Sequence, residues 1–466
     1  MNARLDAAAV QPPPARSLVV IGRAGDATPD DALDARLLAA LPAAARVLEV
    51  RTRTDTLQRA YCRLHPDCAW SVIDLAGAQR RAADPHDESG GPAGLFDLIV
   101  LPDVLPWLAD PLGLLRSLAR RVARDGRLVL STINHAAIGM LRPLLDGDLT
   151  IEPRDAVLAA QPRITSPASA YKLLMDAGWM PALADHRPET PLAEPARAAM
   201  QALAGALGVA VDGAAQRVHQ AAQLIVEARP LFAEAGGPDG AALFDVLVPT
   251  NDERQLRVNV ESSPGLREVD AAIVSYRGAT TPAEAFEQGR AHLSADWVLL
   301  CHQDIYFPAG FGRRLNAVLA AIAPDRRATT LLGFVGMGAG AQGKGRVPAG
   351  FVIDRMARFD QPASDAAVSI DELAIVVSRD TVHRIDPTLG WHLWATDLCL
   401  ASIVDHHVFP RIVRLPLFHN SRTGWQLPAQ FHESAAILAR KWSGFGAIHT
   451  LCGVIDAAVS SEVSEA

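Results

Sequence analysis

The chain has 466 residues, of which 49% are hydrophobic, and a net charge of −8 with 14 histidines. That length exceeds one ordinary core and the apolar fraction is enough to fill more than one, so two or three globular domains are expected. There is no basic stripe or Lys/Arg cluster with an aromatic platform, which argues against nucleic acid as a partner, and no apolar run reaches membrane-spanning length.

Residues 1–16, with Pro12-Pro13-Pro14, read as a disordered start without the apolar segment of a signal peptide. The expected location is the cytoplasm, at most peripheral to the inner face of the membrane. Five scattered cysteines, Cys62, Cys68, Cys301, Cys399 and Cys452, have no CxxC spacing and read as reduced core residues rather than a disulfide framework or a zinc site.

From there to residue 130, short apolar runs (Leu18-Val19-Val20-Ile21, Arg46-Val47-Leu48-Glu49-Val50, Phe96-Asp97-Leu98-Ile99-Val100-Leu101, Arg127-Leu128-Val129-Leu130) alternate with helical patterns such as Leu112 to Ala123. Strand–helix alternation implies a parallel sheet. Ala196 to Phe232 reads as one or two Ala-rich helices, and the Pro/Gly cluster at Glu234 to Gly240 as a domain boundary.

Three stretches of this first half resemble class I S-adenosylmethionine-dependent methyltransferases: Phe96 to Leu105 with Leu108-Ala109-Asp110-Pro111, Arg124 to Asn134, and Leu173-Leu174-Met175-Asp176-Ala177-Gly178-Trp179. The resemblance implies a cofactor pocket beside Glu49 at the end of one strand and Asp74 at the end of the next, where Asp74 would take ribose hydroxyls. After Val47-Leu48-Glu49-Val50 the family needs glycines for close approach of the backbone, and this chain has Arg51-Thr52-Arg53-Thr54-Asp55. The expectation is a retained scaffold with impaired or lost cofactor binding, the alternative a working methyltransferase with an unusual loop.

In the second half, Phe244 to Asp252 reads as a strand ending in a polar loop, Ala271 to Tyr276 as a strand, and Pro282 to Leu293 as an amphipathic helix. Trp297-Val298-Leu299-Leu300-Cys301 is a buried strand that stops on His302-Gln303-Asp304, and Pro308 to Ile322 is helical again. Open α/β sheets bind ligands at the carboxyl edge, where Asp304 then lies. The glycines from Gly333 to Gly340 lack a phosphate-loop context and read as a mobile loop over the ligand, with Gln342 to Gly350 as its continuation.

Phe244 to Gly446 resembles the GT-A glycosyltransferases, in particular a bacterial branch like the family 2 enzymes in which HQD replaces the usual DxD. The residues carrying this likeness are His302-Gln303-Asp304, Ser369 to Val377, Gly390 to Leu400, and Leu417-Phe418-His419-Asn420-Ser421. The resemblance implies a divalent metal, Mn²⁺ or Mg²⁺, held by Asp304 and His419 on the diphosphate of a nucleotide-sugar donor. An imidazole ligand would favour manganese. It also implies Asp397 as the base of an inverting transfer, with Pro249, Asp252, Asp371, Glu372, Trp391 and His392 around donor or acceptor. His302 is not counted among the ligands.

The expected architecture is α/β with two Rossmann-like domains: a methyltransferase-like parallel sheet at 17–190, a helical linker at 191–240, a GT-A nucleotide-diphospho-sugar transferase fold at 241–455, and a tail at 456–466. The expected function is transfer of a sugar from a nucleoside-diphosphate donor to a glycan or other hydroxyl acceptor in polysaccharide assembly. Two alternatives stand beside it: a bifunctional methyltransferase/glycosyltransferase, and a non-catalytic carbohydrate-binding or scaffold protein. Donor sugar, acceptor and oligomeric state stay open.

Overall fold

In a computed structural model the structure describes residues 29–51, 55–74, 77–78, 94–135, 165–188, 194–206, 221–231, 240–340, 345–421 and 427–456. The expected disordered start at 1–16, the strand at Leu18 to Ile21, most of the Pro/Gly boundary and the tail beyond Asp456 lie outside these residues.

The first half contains α1 (Pro29–Ala40), β1 (Arg46–Arg51), α2 (Thr56–Leu64), β2 (Ala69–Asp74), β3 (Phe96–Pro102), α3 (Pro111–Ala119), β4 (Val122–Ile133), α4 (Pro167–Asp176), β5 (Trp179–Pro188), α5 (Glu194–Ala206) and β6 (Ala221–Pro230). Its sheet runs β2-β1-β3-β4-β6-β5. Strands β1 to β4 are parallel, and β6 runs antiparallel to both β4 and β5. Helix starts follow local chemistry: Asp110 accepts from the Gly113 amide ahead of Pro111, and Ser166 and Ser169 form a reciprocal capping box ahead of Pro167.

Two expectations are corrected here. The sheet is mixed rather than parallel, and Ala221–Pro230, expected inside the helical linker, is strand β6 between β4 and β5. The alanines around it favour helix, but Leu224, Ile225 and Val226 are fully buried in the slot between two strands, where each backbone group finds a ladder partner.

The second half contains β7 (Phe244–Thr250), α6 (Glu253–Val258), α7 (Pro264–Arg267), β8 (Ile273–Arg277), α8 (Pro282–Gly289), β9 (Trp297–Cys301), β10 (Ile305–Tyr306), α9 (Phe311–Ala320), β11 (Leu331–Gly333), β12 (Val335–Ala339), β13 (Arg346–Asp354), β14 (Ala357–Asp360), β15 (Ala367–Ile370), β16 (Ala374–Ser378), α10 (Trp394–Asp405), β17 (Arg411–Ile412), β18 (Phe418–His419), α11 (Ala429–Lys441), β19 (Ile448–Thr450) and β20 (Gly453–Ile455). One sheet has the order β17-β11-β16-β9-β7-β8, with β8, β7 and β9 parallel and β16 antiparallel to β9. A second sheet runs β10-β18-β13-β12-β15, with β14 on β13. Strand β9 is buried at every position because apolar clusters cover both faces of its sheet.

The expected mobile glycine loop is instead sheet: Gly333 ends β11, Gly336 and Gly338 lie in β12, and Gly350 lies in β13. Glycine is needed for close approach rather than motion, since a Cβ on Gly336 would run into the Ser369 carbonyl and one on Gly350 (φ 95°) into the Phe334 carbonyl. Residues 341–344 of the expected continuation lie outside the described ones.

The two halves share a core. Tyr171, Leu174, Met175 and Met180 of the first pack in one apolar cluster with Tyr306, Phe351, Ile353 and Phe418 of the second. Polar contacts flank it: the Tyr306 hydroxyl donates to Asp176 (2.6 Å), the Tyr171 hydroxyl to the Met356 carbonyl (3.2 Å), and Lys172 to Asn259 Oδ1 (2.9 Å) and the Val258 carbonyl.

Candidate functional site

Strand β9 ends at Cys301, and a tight turn sends the chain into β10, which pairs antiparallel with β18 so that Ile305 faces His419. That pairing brings Asp304 and His419 together across more than a hundred residues of sequence. Backbone bonds fix the turn: the His302 amide donates to the Leu373 carbonyl (2.9 Å) and the Asn420 amide to the Asp304 carbonyl (2.9 Å). Gln303, the middle residue, lines the same cavity and engages the neighbouring loop. Its Oε1 accepts from the Thr250 hydroxyl (2.5 Å) and from the Asn251 and Asp252 amides (3.0 and 2.9 Å), clamping the loop after β7 against the turn.

His302, Asp304 and His419 offer ligand atoms that all lie within 4.8 Å of one another. His419 Nε2 stands 3.4 Å from Asp304 Oδ1, and its Nδ1 stands 3.0 Å from Asp354 Oδ1. A carboxylate on the far nitrogen of an imidazole fixes the ring and its tautomer, as metal-binding histidines commonly require. Two imidazoles and a carboxylate therefore fit a divalent cation, and suit Mn²⁺ better than Mg²⁺. His302, not counted among the ligands from the sequence, lies with the other two, in the same turn as Asp304.

The electrostatics are those of a buried ion pair. Burial opposes ionisation of Asp304, yet His419 and then His302 overcome it and hold the carboxyl at about 2. Burial also opposes the charge on His419, but Asp304 and then Asp354 push it up to about 10. Burial pushes His302 below the usual imidazole range, with Asp304 pulling the other way.

Two cavities flank the triad. The first, about 330 Å³, lies at the carboxyl ends of β7, β8 and β9 and is lined by Pro249, Thr250, Tyr276, His302, Asp304 and Trp391, among others. The second, about 310 Å³, is lined by Asp371, His392, Thr396, His419, Phe431 and Cys452, among others. Glu372 lines both. It sits between β15 and β16 with its side chain 14% exposed, accepts from the Leu393 amide (3.0 Å) and lies 3.9 Å from His392 Nδ1. Burial, with Asp371 beside it, pushes Glu372 up to about 8, which brings a carboxylic acid into the range of a general base or acid near neutral pH.

The remaining residues separate by position. Pro249, Asp371, Trp391 and His392 line one cavity or the other, with Asp371 also accepting from the Leu373 amide (3.1 Å). Asp252 lines neither; its Oδ1 accepts from the Arg254 and Gln255 amides and caps α6. Asp397, 1% exposed on the first turn of α10, accepts from Lys441 (2.9 Å) and from the Trp442 indole (2.8 Å). Both of its oxygens are taken by α11 and its C-cap residue, so it ties two helices together and faces neither cavity.

At the corresponding edge of the first sheet the described side chains bond to one another. Glu49, 2% exposed at the carboxyl end of β1, accepts from Arg51 (2.6 Å) and from the Trp70 indole (3.1 Å), and Arg51 also donates to Gln58 (2.6 Å). Asp74, exposed at the end of β2 beside Arg51 in register, accepts from the Gly77 amide (2.7 Å). The Arg51 guanidinium thus lies beside Glu49 and Gln58 at the carboxyl end of β1, where the family resemblance puts the cofactor pocket. Residues 52–54 of that loop lie outside the described ones. Among the cysteines, Cys301 and Cys399 are buried, Cys62 and Cys68 are half-buried with their sulfurs 3.3 Å apart, and Cys452 is exposed, so only two of the five are core residues as expected.

Residues 25–194 match the family described as Methyltransferase domain, and the first half has the Rossmann-like methyltransferase fold. No curated protein matches the chain. Among solved structures, the chain is similar to human N-acetylserotonin methyltransferase in complex with SAM, at 15% identity over 43% of this chain and 52% of that one, with a TM-score of 0.25. It is likewise similar to a SAM-dependent methyltransferase from Thermotoga maritima described as a possible histamine N-methyltransferase (12% identity, 42% of this chain and 88% of that one, TM-score 0.25). A third is an S-adenosylmethionine-dependent methyltransferase from Mesorhizobium loti (19% identity, 42% and 96%, TM-score 0.24). The chain spans about half the length of the first of these. No described helix is long and apolar enough to cross a membrane.

Proposed function

We propose that the chain is a transferase whose second half moves a sugar from a nucleoside-diphosphate donor to a hydroxyl acceptor, built onto a methyltransferase domain. The carrying observation is the convergence of His302, Asp304 and His419 at the carboxyl edge of a parallel strand, between two cavities that share Glu372. The donor nucleotide fits the first cavity, where the loop clamped by Gln303 and the rings of Tyr276 and Trp391 offer hydrogen bonds and a stacking surface. His302, Asp304 and His419 would hold a divalent cation, which when bound supplies positive charge to a departing diphosphate. The acceptor fits the second cavity, with Asp371 and His392 to bind its hydroxyls.

Glu372, facing both cavities, takes the proton of the attacking hydroxyl in this reading, the role that the family resemblance implied for Asp397. A base opposite the leaving group gives inversion. The test is turnover of a panel of nucleoside-diphosphate sugars with and without Mn²⁺, in wild type and Asp304→Ala. Full metal-dependent turnover by the variant sinks the reading.

A second reading is favoured by the family match at residues 25–194: the first domain methylates the sugar that the second transfers, with Asp74 on the cofactor ribose. Binding of S-adenosylmethionine, measured by calorimetry, separates the two. Saturable heat supports the bifunctional enzyme, and no heat supports a scaffold closed by Arg51.

A further inference from the structure

A third cavity, about 640 Å³, opens between the halves, away from both sheet edges described above. Arg124 and Arg127 reach it from the amino-terminal part of β4, and Arg229 from the end of β6, which runs antiparallel to β4. These residues lie at the opposite edge of the first sheet from Arg51 and Asp74. Arg314 of α9 and Arg414, after β17, close it from the second half. Among the described residues the lining holds five arginines and two acids, Asp125 and Asp360, in a chain whose net charge is −8.

Glu227 is shared by three guanidiniums, those of Arg127 (2.9 Å), Arg229 (3.3 Å) and the half-buried Arg358 (3.8 Å). Asp360 is engaged by Arg414 (2.7 Å). Burial pushes the Arg358 guanidinium below its usual range, and Arg229 and Arg127 push the same way against Glu227 and Asp360. Clustered guanidiniums with one carboxylate among three of them are stabilised by an external anion carrying more than one charge. The planar fork of arginine matches phosphate oxygens two at a time.

We infer that this groove between the halves is a second anion site, which binds a phosphomonoester or diphosphate group through Arg127, Arg229 and their arginine neighbours. The site is independent of the cation triad and of the nucleotide-sugar reading. It joins residues of both halves, so an occupant bridges them.

The test is calorimetric titration of the full chain with inorganic pyrophosphate, at fixed ionic strength and with EDTA present so that a metal–diphosphate complex cannot form at the triad. The expected result is saturable binding of one pyrophosphate per chain. The Arg127→Gln/Arg229→Gln double variant should weaken it by about tenfold or more through lost charge-assisted bonds. Glu227→Gln, which removes the competing internal anion, should tighten it several-fold, a gain that misfolding cannot imitate. Asp304→Ala should leave it unchanged. Parallel arms with ADP and with phosphatidic acid vesicles distinguish a free phosphate ligand from a lipid headgroup. Absence of saturable binding to all three probes, or equal binding by wild type and both charge variants, overturns the inference.

Discussion

The chain carries two open α/β edges that start alike and end differently. In the first half, the strand β1 terminates in Glu49 and Arg51, and the two side chains close on each other, on Trp70 and on Gln58. In the second half, β9 is followed by His302, Gln303 and Asp304, all three lining a cavity, with Gln303 also holding the neighbouring loop. A sheet edge is a place where a ligand can bind, and the few residues after the strand decide whether it is open. At the first edge an arginine satisfies its own carboxylate; at the second a glutamine satisfies the next loop.

The sharpest break in that contrast is at the triad. Asp304→Ala should lower metal-dependent transfer by about 10²- to 10³-fold, measured as nucleoside diphosphate released, because the charge on the leaving group loses its counterpart. Glu372→Gln should cost about 10²-fold or more in kcat with little change in donor KM. Its pH behaviour adds a signature. Glu372 is raised above its ordinary value, so the folded state keeps a proton that the unfolded state has lost, and stability falls as pH rises toward and through about 8. Thermal melts at pH 9 should therefore show the Gln variant more stable than wild type, while the wild-type rate rises over the same interval.

Smaller effects sharpen the comparison through the joint between the halves. Asp176→Ala removes the acceptor for Tyr306, two residues beyond Asp304, and should cost about 1–3 kcal/mol in denaturant unfolding together with weaker metal binding. Asp397→Asn should cost a similar stability, about 1–2 kcal/mol, through the weakened tie to Lys441, yet leave turnover per folded molecule unchanged. A large loss of turnover there would return the base role to Asp397. At the first edge the expected effect is the smallest: S-adenosylmethionine gives no heat with wild type. Saturable heat would show that Arg51 moves aside and that the two edges are alike after all.

Much of the fold is legible where local rules suffice. The continuous apolar run Trp297 to Cys301 reads as a buried strand, and Asp304 follows at its edge. Prolines preceded by Ser, Thr or Asp mark the starts of α3, α4 and α8. Legibility fails where neighbours decide. Ala221 to Pro230 has a composition that fits helix, and becomes a strand because a slot between β4 and β5 has backbone groups to satisfy. The glycines of β12 and β13 look like a mobile loop, and instead allow backbones to approach.

The site divides in the same way. By itself the sequence determined the residue types and the edge: a carboxylate after a buried strand, a histidine far downstream, and an arginine where a glycine turn belongs. Which of these face a common space was decided by the β10–β18 pairing, which sets His419 against Asp304. It was decided too by α11, whose Lys441 and C-cap Trp442 take up Asp397 and leave Glu372 as the carboxylate between the cavities. The physical reason is that propensity and apolar periodicity act over a few residues. The direction of a polar side chain depends instead on which distant donor or acceptor the folded chain brings within bonding reach.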